Sequence, residues 1–142
     1  MEARFHHVGY ATKSIEKSIE IFRLFGYKTE NSTILDERLG VKIQFLVHPN
    51  NGSPRIELVE DLVDGDNHPV RAILKQRPGS YHLAYLIDSI QEFSLENKLR
   101  AITQCSPALA FEGRHVQFFM SRDEGIIELV SNALECICAD NG

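Results

Sequence analysis

The sequence lacks the features that mark membrane, secreted and nucleic-acid-binding proteins. No apolar run approaches the roughly 20 residues that a membrane-spanning helix requires, and residues 1–5 lack the apolar core of a secretory signal. The formal net charge is −5, and no basic stripe is present that would bind a phosphate backbone. We therefore expect a cytosolic protein that binds neither a membrane nor nucleic acid.

Cysteine is also scarce, with three residues in the chain. Cys105 is isolated, whereas Cys136 and Cys138 lie two positions apart. The Cys-Ile-Cys spacing is not usual for a zinc-binding pair, and an odd number of cysteines leaves one without a partner in any set of disulfides. We expect all three to be reduced and to act as small apolar side chains.

The most informative feature is an internal repeat, which has to be identified first because it determines the architecture. Residues 6–15 are matched by residues 81–90, so that His7 corresponds to His82. Two further matches follow in the same order: residues 41–46 with 114–119, and residues 55–59 with 125–130. The shared order predicts the same elements in both halves, namely a strand, a helix and three strands.

Local patterns place the elements of this plan. Ser14 and Ser89 precede apolar helical periodicities and are predicted N-caps. Gly26 is predicted to end the first helix, whose inward face is expected to include Leu24 and Phe25. The predicted strands are residues 5–11, 27–33, 41–47, 55–60, 81–87, 102–105, 116–120 and 126–130.

These elements predict a single α+β domain that comprises the whole chain of 142 residues. One module at about 4–62 is joined to another at about 80–131 by a helix at about 67–78. A single module has one layer and cannot bury the face of its own sheet. We therefore expect two paired βαβββ modules that form a curled mixed sheet around a central cleft, with the helices outside.

The repeat places four potential metal ligands at equivalent positions. His7 and Glu57 in the first half correspond to His82 and Glu128 in the second. Two imidazole nitrogens and two carboxylate oxygens suit a divalent ion such as Zn²⁺, Ni²⁺, Co²⁺ or Mn²⁺. Because residues alternate between the two faces of a strand, each glutamate points away from its two aliphatic neighbours.

Each of these residues also has an ordinary interpretation. A glutamate between aliphatic neighbours on a strand is usually exposed to solvent, and a histidine in an apolar strand is usually a packed core residue. Solvent-facing residues, however, have no reason to recur as His and then Glu in both halves. The recurrence favours a buried metal site to which both modules contribute.

The segments 7–11, 56–60, 82–85 and 127–129 resemble the vicinal-oxygen-chelate superfamily, which includes glyoxalase I, methylmalonyl-CoA epimerase and bleomycin-resistance proteins. The resemblance covers about residues 5–131 and is greatest to methylmalonyl-CoA epimerase-like members. It implies paired βαβββ modules, one divalent metal ion held by the four residues described above, and a homodimer.

Two positions depart from the epimerase pattern. Some epimerases have a glutamine at the position of Glu57, whereas glyoxalase I enzymes have a glutamate there. Some epimerases also have a second acid near the position of Gln44, whose amide cannot act as a general base. The resemblance therefore leaves Glu57 and Glu128 as the symmetric pair of candidate catalytic bases.

The resemblance implies proton abstraction from a carbon next to a carbonyl, with the metal as a Lewis acid. Return of the proton to the other face of that carbon is epimerisation, and transfer to the adjacent carbon is the glyoxalase reaction. We predict an isomerase or epimerase that acts on an acyl-CoA. The alternatives are a glyoxalase I-type lyase acting on a glutathione adduct, and a small-molecule-binding protein of the bleomycin-resistance kind.

The basic residues outside the repeated His–Glu pairs carry weaker predictions. Five of them are candidates to hold the phosphates of a CoA ester: Lys42, Arg71, Lys75, Arg77 and Arg114. Four histidines have no counterpart in the other half and are expected to be surface or packing residues: His6, His48, His68 and His115.

Overall fold

The computed structural model describes residues 2–50, 52–62, 79–121 and 125–133. These residues form ten strands, two α-helices and a short 3-10 helix at Leu109–Phe111. The elements are β1 Arg4–Ala11, α1 Ile15–Leu24, β2 Lys28–Thr29, β3 Ile34–Asp36, β4 Val41–Val47, β5 Ile56–Asp61, β6 Gly79–Ile87, α2 Ile90–Glu96, β7 Arg100–Ala101, β8 Ser106–Pro107, β9 His115–Ser121 and β10 Gly125–Ser131.

The chain divides into two compact units, and the division falls within β1. The first unit is His7–Tyr81, and the second consists of Met1–His6 and His82–Gly142. The strands form a mixed sheet, with both parallel and antiparallel pairs. The predicted α+β class and mixed sheet are therefore confirmed.

In the first unit the strand order is β2-β4-β5-β1, with β3 paired to β4. The strand β1 is parallel to β5, and β5 is antiparallel to β4. Helix α1 connects β1 to the antiparallel strands, which gives the predicted βαβββ plan with β3 in addition. The strands predicted at 41–47 and 55–60 are confirmed, and they form this antiparallel pair.

Helix α1 begins where the sequence predicts, because the side chain of Ser14 accepts a hydrogen bond from the backbone N–H of Lys17. Its apolar face packs against β4 and β5 in a core made of Ile15, Leu46, Ile56 and Leu58, joined by Val8, Tyr10, Ile19, Phe22 and Tyr27. The prediction that Leu24 and Phe25 point inward is wrong, since they are 81% and 69% exposed. At about 3.6 residues per turn, Leu24 falls on the side of α1 opposite Ile15, and Phe25 is the C-cap residue that follows the helix.

The glycine that follows α1 ends it by a specific hydrogen-bond pattern. The N–H of Gly26 bonds the carbonyl of Arg23 at 3.1 Å, and the N–H of Tyr27 bonds the carbonyl of Phe22 at 3.2 Å. Gly26 adopts a φ of +91°, the left-handed conformation that this helix ending requires. The predicted stop at Gly26 is confirmed.

In the second unit the strand order is β6-β10-β9-β7, with β8 paired to β9. The strand β6 is parallel to β10, and β10 is antiparallel to β9. Helix α2 follows β6 and is capped by Ser89, whose side chain accepts from the N–H of Glu92. The unit thus repeats the order strand, helix and antiparallel strands of the first unit, as the sequence predicts.

The core of the second unit lies between α2 and its strands. It contains Ile87, Ile90, Phe119 and Leu129, joined by Ala3, Tyr85, Phe93, Leu99, Cys105 and Ile127. Ile90 and Phe93 of α2 and Leu99 after it therefore point into this core. Phe5 at the start of β1 also belongs to this unit, and its ring packs edge-on against Tyr85 with centroids 5.8 Å apart.

Two predicted strands differ from the structure. Within residues 27–33 only Lys28–Thr29 forms a strand, and Glu30 makes one further bond to the carbonyl of Phe45. The strand predicted at 102–105 is wrong, because Arg100–Ala101 and Ser106–Pro107 pair with β9 on either side of it. Such short edge strands follow from tertiary pairing and have no periodicity of their own to read.

Three further predictions concern cysteines, the connecting segment and membranes. Cys105 is disulfide-bonded. The expectation that all three cysteines are reduced is therefore wrong for this residue. Disulfide formation depends on how close two cysteines lie in the fold, which their spacing in the sequence does not determine. The predicted helix at 67–78 and the other two cysteines lie outside the described residues. In the part of the chain that is described, no helix is long and apolar enough to cross a membrane.

Candidate metal centre

A histidine and a glutamate lie side by side in the first unit because β1 and β5 are parallel neighbours. Glu57 is opposite Gly9 in the register, and His7 is on the same face of β1 as Gly9, two residues earlier. The Nε2 atom of His7 lies 3.6 Å from Oε1 of Glu57. Both residues are buried, at 0% and 3% exposure.

The second unit contains the same arrangement on β6 and β10. Glu128 is opposite Ala84, and His82 precedes Ala84 by two residues on the same face. The Nε2 atom of His82 lies 3.6 Å from Oε1 of Glu128, and the two residues are 2% and 4% exposed. The sequence repeat is therefore also a repeat of local geometry.

The orientation of each glutamate follows from the alternation of its strand. Ile56 and Leu58 pack in the core beneath α1, so Glu57 between them points to the other face of the sheet. Ile127 and Leu129 pack in the core beneath α2, and Glu128 points to the other face in the same way. The ordinary interpretation of these glutamates as solvent-facing residues is wrong for both.

Each pair is completed by a phenylalanine on the neighbouring antiparallel strand. Phe45 is directly opposite Glu57, and its ring lies edge-on to the imidazole of His7, with centroids 5.6 Å apart and an interplanar angle of 70°. Phe118 is directly opposite Glu128, and its ring contacts His82 at 5.2 Å and 81°. Each unit thus holds a His–Glu–Phe group whose histidine and glutamate are buried.

The donor atoms within each pair suit a metal ion. Two ligand atoms bound to one ion at about 2.1 Å in tetrahedral geometry are about 3.4 Å apart, close to the 3.6 Å separation in both pairs. A buried carboxylate needs a positive or hydrogen-bonding partner to offset its desolvation, and a divalent cation is a partner of that kind. Each of the four residues offers one possible ligand atom, and imidazole with carboxylate fits Zn²⁺, Ni²⁺, Co²⁺ and Mn²⁺.

Gln44 does not join the His–Glu–Phe group of its unit. It is opposite Leu58 and so lies on the face of β4 away from Phe45. Its amide nitrogen donates to the carbonyl of Asn31 at 2.7 Å, and its amide oxygen accepts from Thr33 Oγ1 at 2.8 Å. Gln44 is therefore an anchor for the segment that precedes β3.

Gln117, the counterpart of Gln44 in the repeat, has the same role in the second unit. Its amide nitrogen donates to the carbonyl of Thr103 at 3.0 Å, and Thr103 Oγ1 accepts from the N–H of Phe118, also at 3.0 Å. The repeated Gln-Phe dipeptide thus combines a loop anchor on one face with a ring against the histidine on the other.

Among the unmatched histidines, His48 and His6 are packing residues, as expected. His48 Nε2 donates to the carbonyl of Phe25 at 2.9 Å, and its Nδ1 accepts from the N–H of Asn50 at 3.0 Å. This pair of bonds fits the neutral tautomer with the proton on Nε2. The ring of His6 packs edge-on against Phe111, and His115 pairs with Pro107 between β9 and β8.

The candidate phosphate-binding residues are only partly within the described residues. Lys42 lies 3.7 Å from Glu60 on the neighbouring strand, which gives its charge a structural partner. Arg114 is half-buried and immediately precedes β9. The other three candidates and His68 fall within residues 63–78, which lie outside the described residues.

Phe45 and Phe118 are residues of the site that the sequence alone did not predict. Both lie within the repeated segment that contains the Gln-Phe dipeptide. That repetition was the available signal, because an aromatic residue needed only for packing has no reason to recur beside a matched His–Glu pair.

Comparison with known proteins identifies the class. Residues 6–118 match the family described as the Glyoxalase/Bleomycin resistance protein/Dioxygenase superfamily. The chain therefore belongs to this superfamily, as the resemblance implies. No curated protein matches the chain.

Several solved structures share the fold. The hypothetical protein BH1468 from Bacillus halodurans C-125 is 25% identical with a TM-score of 0.76, over 94% of this chain and 96% of that one. The methylmalonyl-CoA epimerase from Mycobacterium tuberculosis is 20% identical with a TM-score of 0.74, over 92% and 88%. A methylmalonyl-CoA epimerase in complex with methylmalonyl-CoA and NH₄⁺ is 20% identical with a TM-score of 0.73, over 96% and 99%.

Proposed function

We propose that this protein is a metal-dependent epimerase that removes and returns the proton on a carbon next to a carbonyl, with an acyl-CoA such as methylmalonyl-CoA as its substrate. In this proposal His7, Glu57, His82 and Glu128 hold one divalent ion, and Glu57 and Glu128 are the bases. The observation that carries the proposal is the repetition of a buried His–Glu pair with the same 3.6 Å separation in both units.

When bound, a divalent ion supplies Lewis-acid stabilisation of the negative charge that develops on the substrate oxygen as the proton leaves. The chain's own residues then have two tasks. His7 and His82 would supply imidazole nitrogens to the ion, and burial and ring packing fix the positions of both side chains. The carboxylates of Glu57 and Glu128 accept and return the proton, as general bases and acids do in such reactions.

The repeat supports a role for both glutamates. Epimerisation requires a proton to leave one face of the carbon and to arrive at the other, so two bases of similar placement suit it better than one. Glu57 and Glu128 occupy equivalent positions in the two units. Both are buried, which strengthens the electrostatic interactions that they make.

The choice of an acyl-CoA rests on the solved structures of similar fold. Two of those described above are methylmalonyl-CoA epimerases, and one of them is in complex with methylmalonyl-CoA. At 20% identity this likeness establishes the fold, and the substrate is our proposal for this chain.

A second candidate function is a lyase of the glyoxalase I type, which moves the proton to the adjacent carbon of a glutathione hemithioacetal. The observation that favours it is Glu57 itself, which is a carboxylate beside His7 where some epimerases have a glutamine. Glutamine has no carboxylate to act as a base. The two reactions need the same metal and the same kind of base, so the substrate has to decide between them.

Isotope exchange tests the proposal. The metal-loaded protein is incubated with methylmalonyl-CoA in D₂O, and deuterium at the α-carbon is followed by mass spectrometry. Incorporation at a rate above that of the Glu128→Gln variant is the expected result. Turnover of a hemithioacetal without exchange into methylmalonyl-CoA favours the lyase instead.

A third outcome separates an enzyme from a binding protein. A chain that takes up no divalent metal and exchanges no proton contradicts both enzymatic proposals and favours the small-molecule-binding alternative. Homodimerisation and a cytosolic location stay predictions, and light scattering of the purified protein tests the first of them.

A further inference from the structure

Two phenylalanines have the same relation to a histidine and to a glutamate in different parts of the chain. In each unit one ring lies edge-on to the imidazole, at 5.6 Å for Phe45 with His7 and 5.2 Å for Phe118 with His82. The same phenylalanine is directly opposite the glutamate of its pair across an antiparallel strand pair. One residue therefore borders both members of each His–Glu pair.

The perpendicular arrangement restricts the imidazole. A histidine on a strand can turn about its side-chain bonds, and the second of these torsions is broad. A ring packed edge-to-face against it favours one orientation of the imidazole, because aromatic pairs prefer offset-stacked or T-shaped arrangements. The orientation that is held directs Nε2 toward the glutamate, at 3.6 Å in both units.

The same strand offers a contrast. Phe119 is next to Phe118 on β9 but points to the opposite face, where it packs in the core with Ile90 and Leu129. Phe119 is 2% exposed, and it has no place beside His82. Phe119 thus provides general apolar packing and Phe118 contacts the histidine, although the two phenylalanines are adjacent in the chain.

We infer that Phe45 and Phe118 are positioning residues that hold the imidazoles of His7 and His82 in the orientation needed to bind a divalent metal ion. This inference rests on the proposed function, since it assigns these residues to the same metal site. Neither phenylalanine is a catalytic residue here, as each acts through a histidine. Hydrogen-bonded groups that orient metal-binding histidines affect metal affinity by about 10- to 100-fold when they are changed, and the phenylalanines act on the same histidines by packing.

The experiment measures Co²⁺ binding to the full chain. Titration gives the dissociation constant, and the visible spectrum of bound Co²⁺ reports the arrangement of its ligands. The test variants are Phe118→Leu and Phe45→Leu, and the matched control is Phe119→Leu. Phe118→Tyr keeps a ring against His82 and serves as the conservative variant, and thermal unfolding of each metal-free protein reports stability separately.

We expect Phe118→Leu and Phe45→Leu each to weaken Co²⁺ binding about tenfold and to alter its spectrum. The Phe119→Leu control should lower the unfolding temperature while its Co²⁺ affinity stays within about twofold of the parent, because its side chain packs in the core on the other face of β9. Phe118→Tyr should keep the affinity and the spectrum of the parent.

The outcomes separate this inference from the proposed function. If the parent binds Co²⁺ and Phe118→Leu binds it equally well, only the inference is overturned. An equal loss of affinity in Phe119→Leu also overturns it, because the effect would then be one of general stability. If the parent itself binds no Co²⁺, the metal-dependent function and the positioning role both fail.

Discussion

Glu128 lies directly opposite Phe118 across the β9–β10 pair, and the same relation joins Glu57 to Phe45 on β5 and β4. In both cases a second strand runs parallel to the one that carries the glutamate, and it places a histidine on the same face of the sheet. The repeat is therefore a repeat of three strands and three side chains. This recurrence is the physical basis for the metal site proposed above.

The buried glutamates should be essential for proton transfer. We expect Glu57→Gln and Glu128→Gln each to lower exchange of the α-proton by about 100-fold or more, because an amide cannot act as the base. Glu60→Gln is the matched control, since Glu60 is on the same strand as Glu57 but pairs with Lys42, and its rate should stay close to that of the parent. If either buried variant keeps the parent rate, that carboxylate is not a base.

Gln44 should matter for stability and not for metal binding. Gln44→Ala removes the bonds to Asn31 and Thr33 and leaves a cavity, so the free energy of unfolding should fall by about 1–3 kcal/mol. Because Gln44 faces away from Glu57, metal affinity measured by titration should not change. A large loss of affinity without a loss of stability would contradict the role of an anchor.

Removing the glycine after α1 and introducing one after α2 should change the stability of the protein in opposite directions. Gly26 has a φ of +91°, and a Cβ there would clash with the ring of His48, so Gly26→Ala should destabilise the protein by at least about 1 kcal/mol. Lys98 follows α2 with a φ of 52°, and Lys98→Gly should stabilise it by about 0.5–1 kcal/mol through relief of left-handed strain. Urea unfolding measures both.

Gly52→Ala is the control for these variants, because open space surrounds this position and its φ is ordinary. Its unfolding midpoint should equal or slightly exceed that of the parent. A Gly26→Ala protein as stable as Gly52→Ala would contradict the account of the first helix end.

Tyr27 should make stability depend on pH in the alkaline range. Burial raises the pKa of the Tyr27 phenol, and its hydroxyl donates to the carbonyl of Pro54 at 2.9 Å. The stability that the un-ionised Tyr27 phenol contributes is fully present below the unfolded pKa of about 10. It is lost as pH rises through the folded pKa, because the phenol of the unfolded chain ionises first. Above pH about 10, the free energy of unfolding should therefore fall less steeply with pH for Tyr27→Phe than for the parent. Equal slopes for the two proteins would contradict this role of Tyr27.

Much of the fold and the four candidate ligands could be predicted from the sequence. Repetition combined with strand alternation was enough to place Glu57 and Glu128 on the face away from the helices, because the period of a strand is two residues whatever surrounds it. The serine caps were predictable for a similar reason, since a cap depends on residues within one turn.

The remaining features depend on tertiary contacts. The short strands β7 and β8 form by pairing with β9 and have no pattern of their own. The disulfide at Cys105 and the exposure of Leu24 likewise depend on which parts of the chain meet. The role of Phe118 needed the register of β9 against β10, which the repeat alone does not give.

If the two His–Glu pairs hold one metal ion together, as proposed, the number of metal ions bound per chain should show it. Elemental analysis of the dialysed chain, of His7→Ala and of His82→Ala counts bound ions per polypeptide. A shared site predicts one ion in the parent and loss of tight binding in both variants, since either substitution removes a ligand from the same ion. Two ions in the parent, or tight binding that survives either substitution, would contradict the shared site.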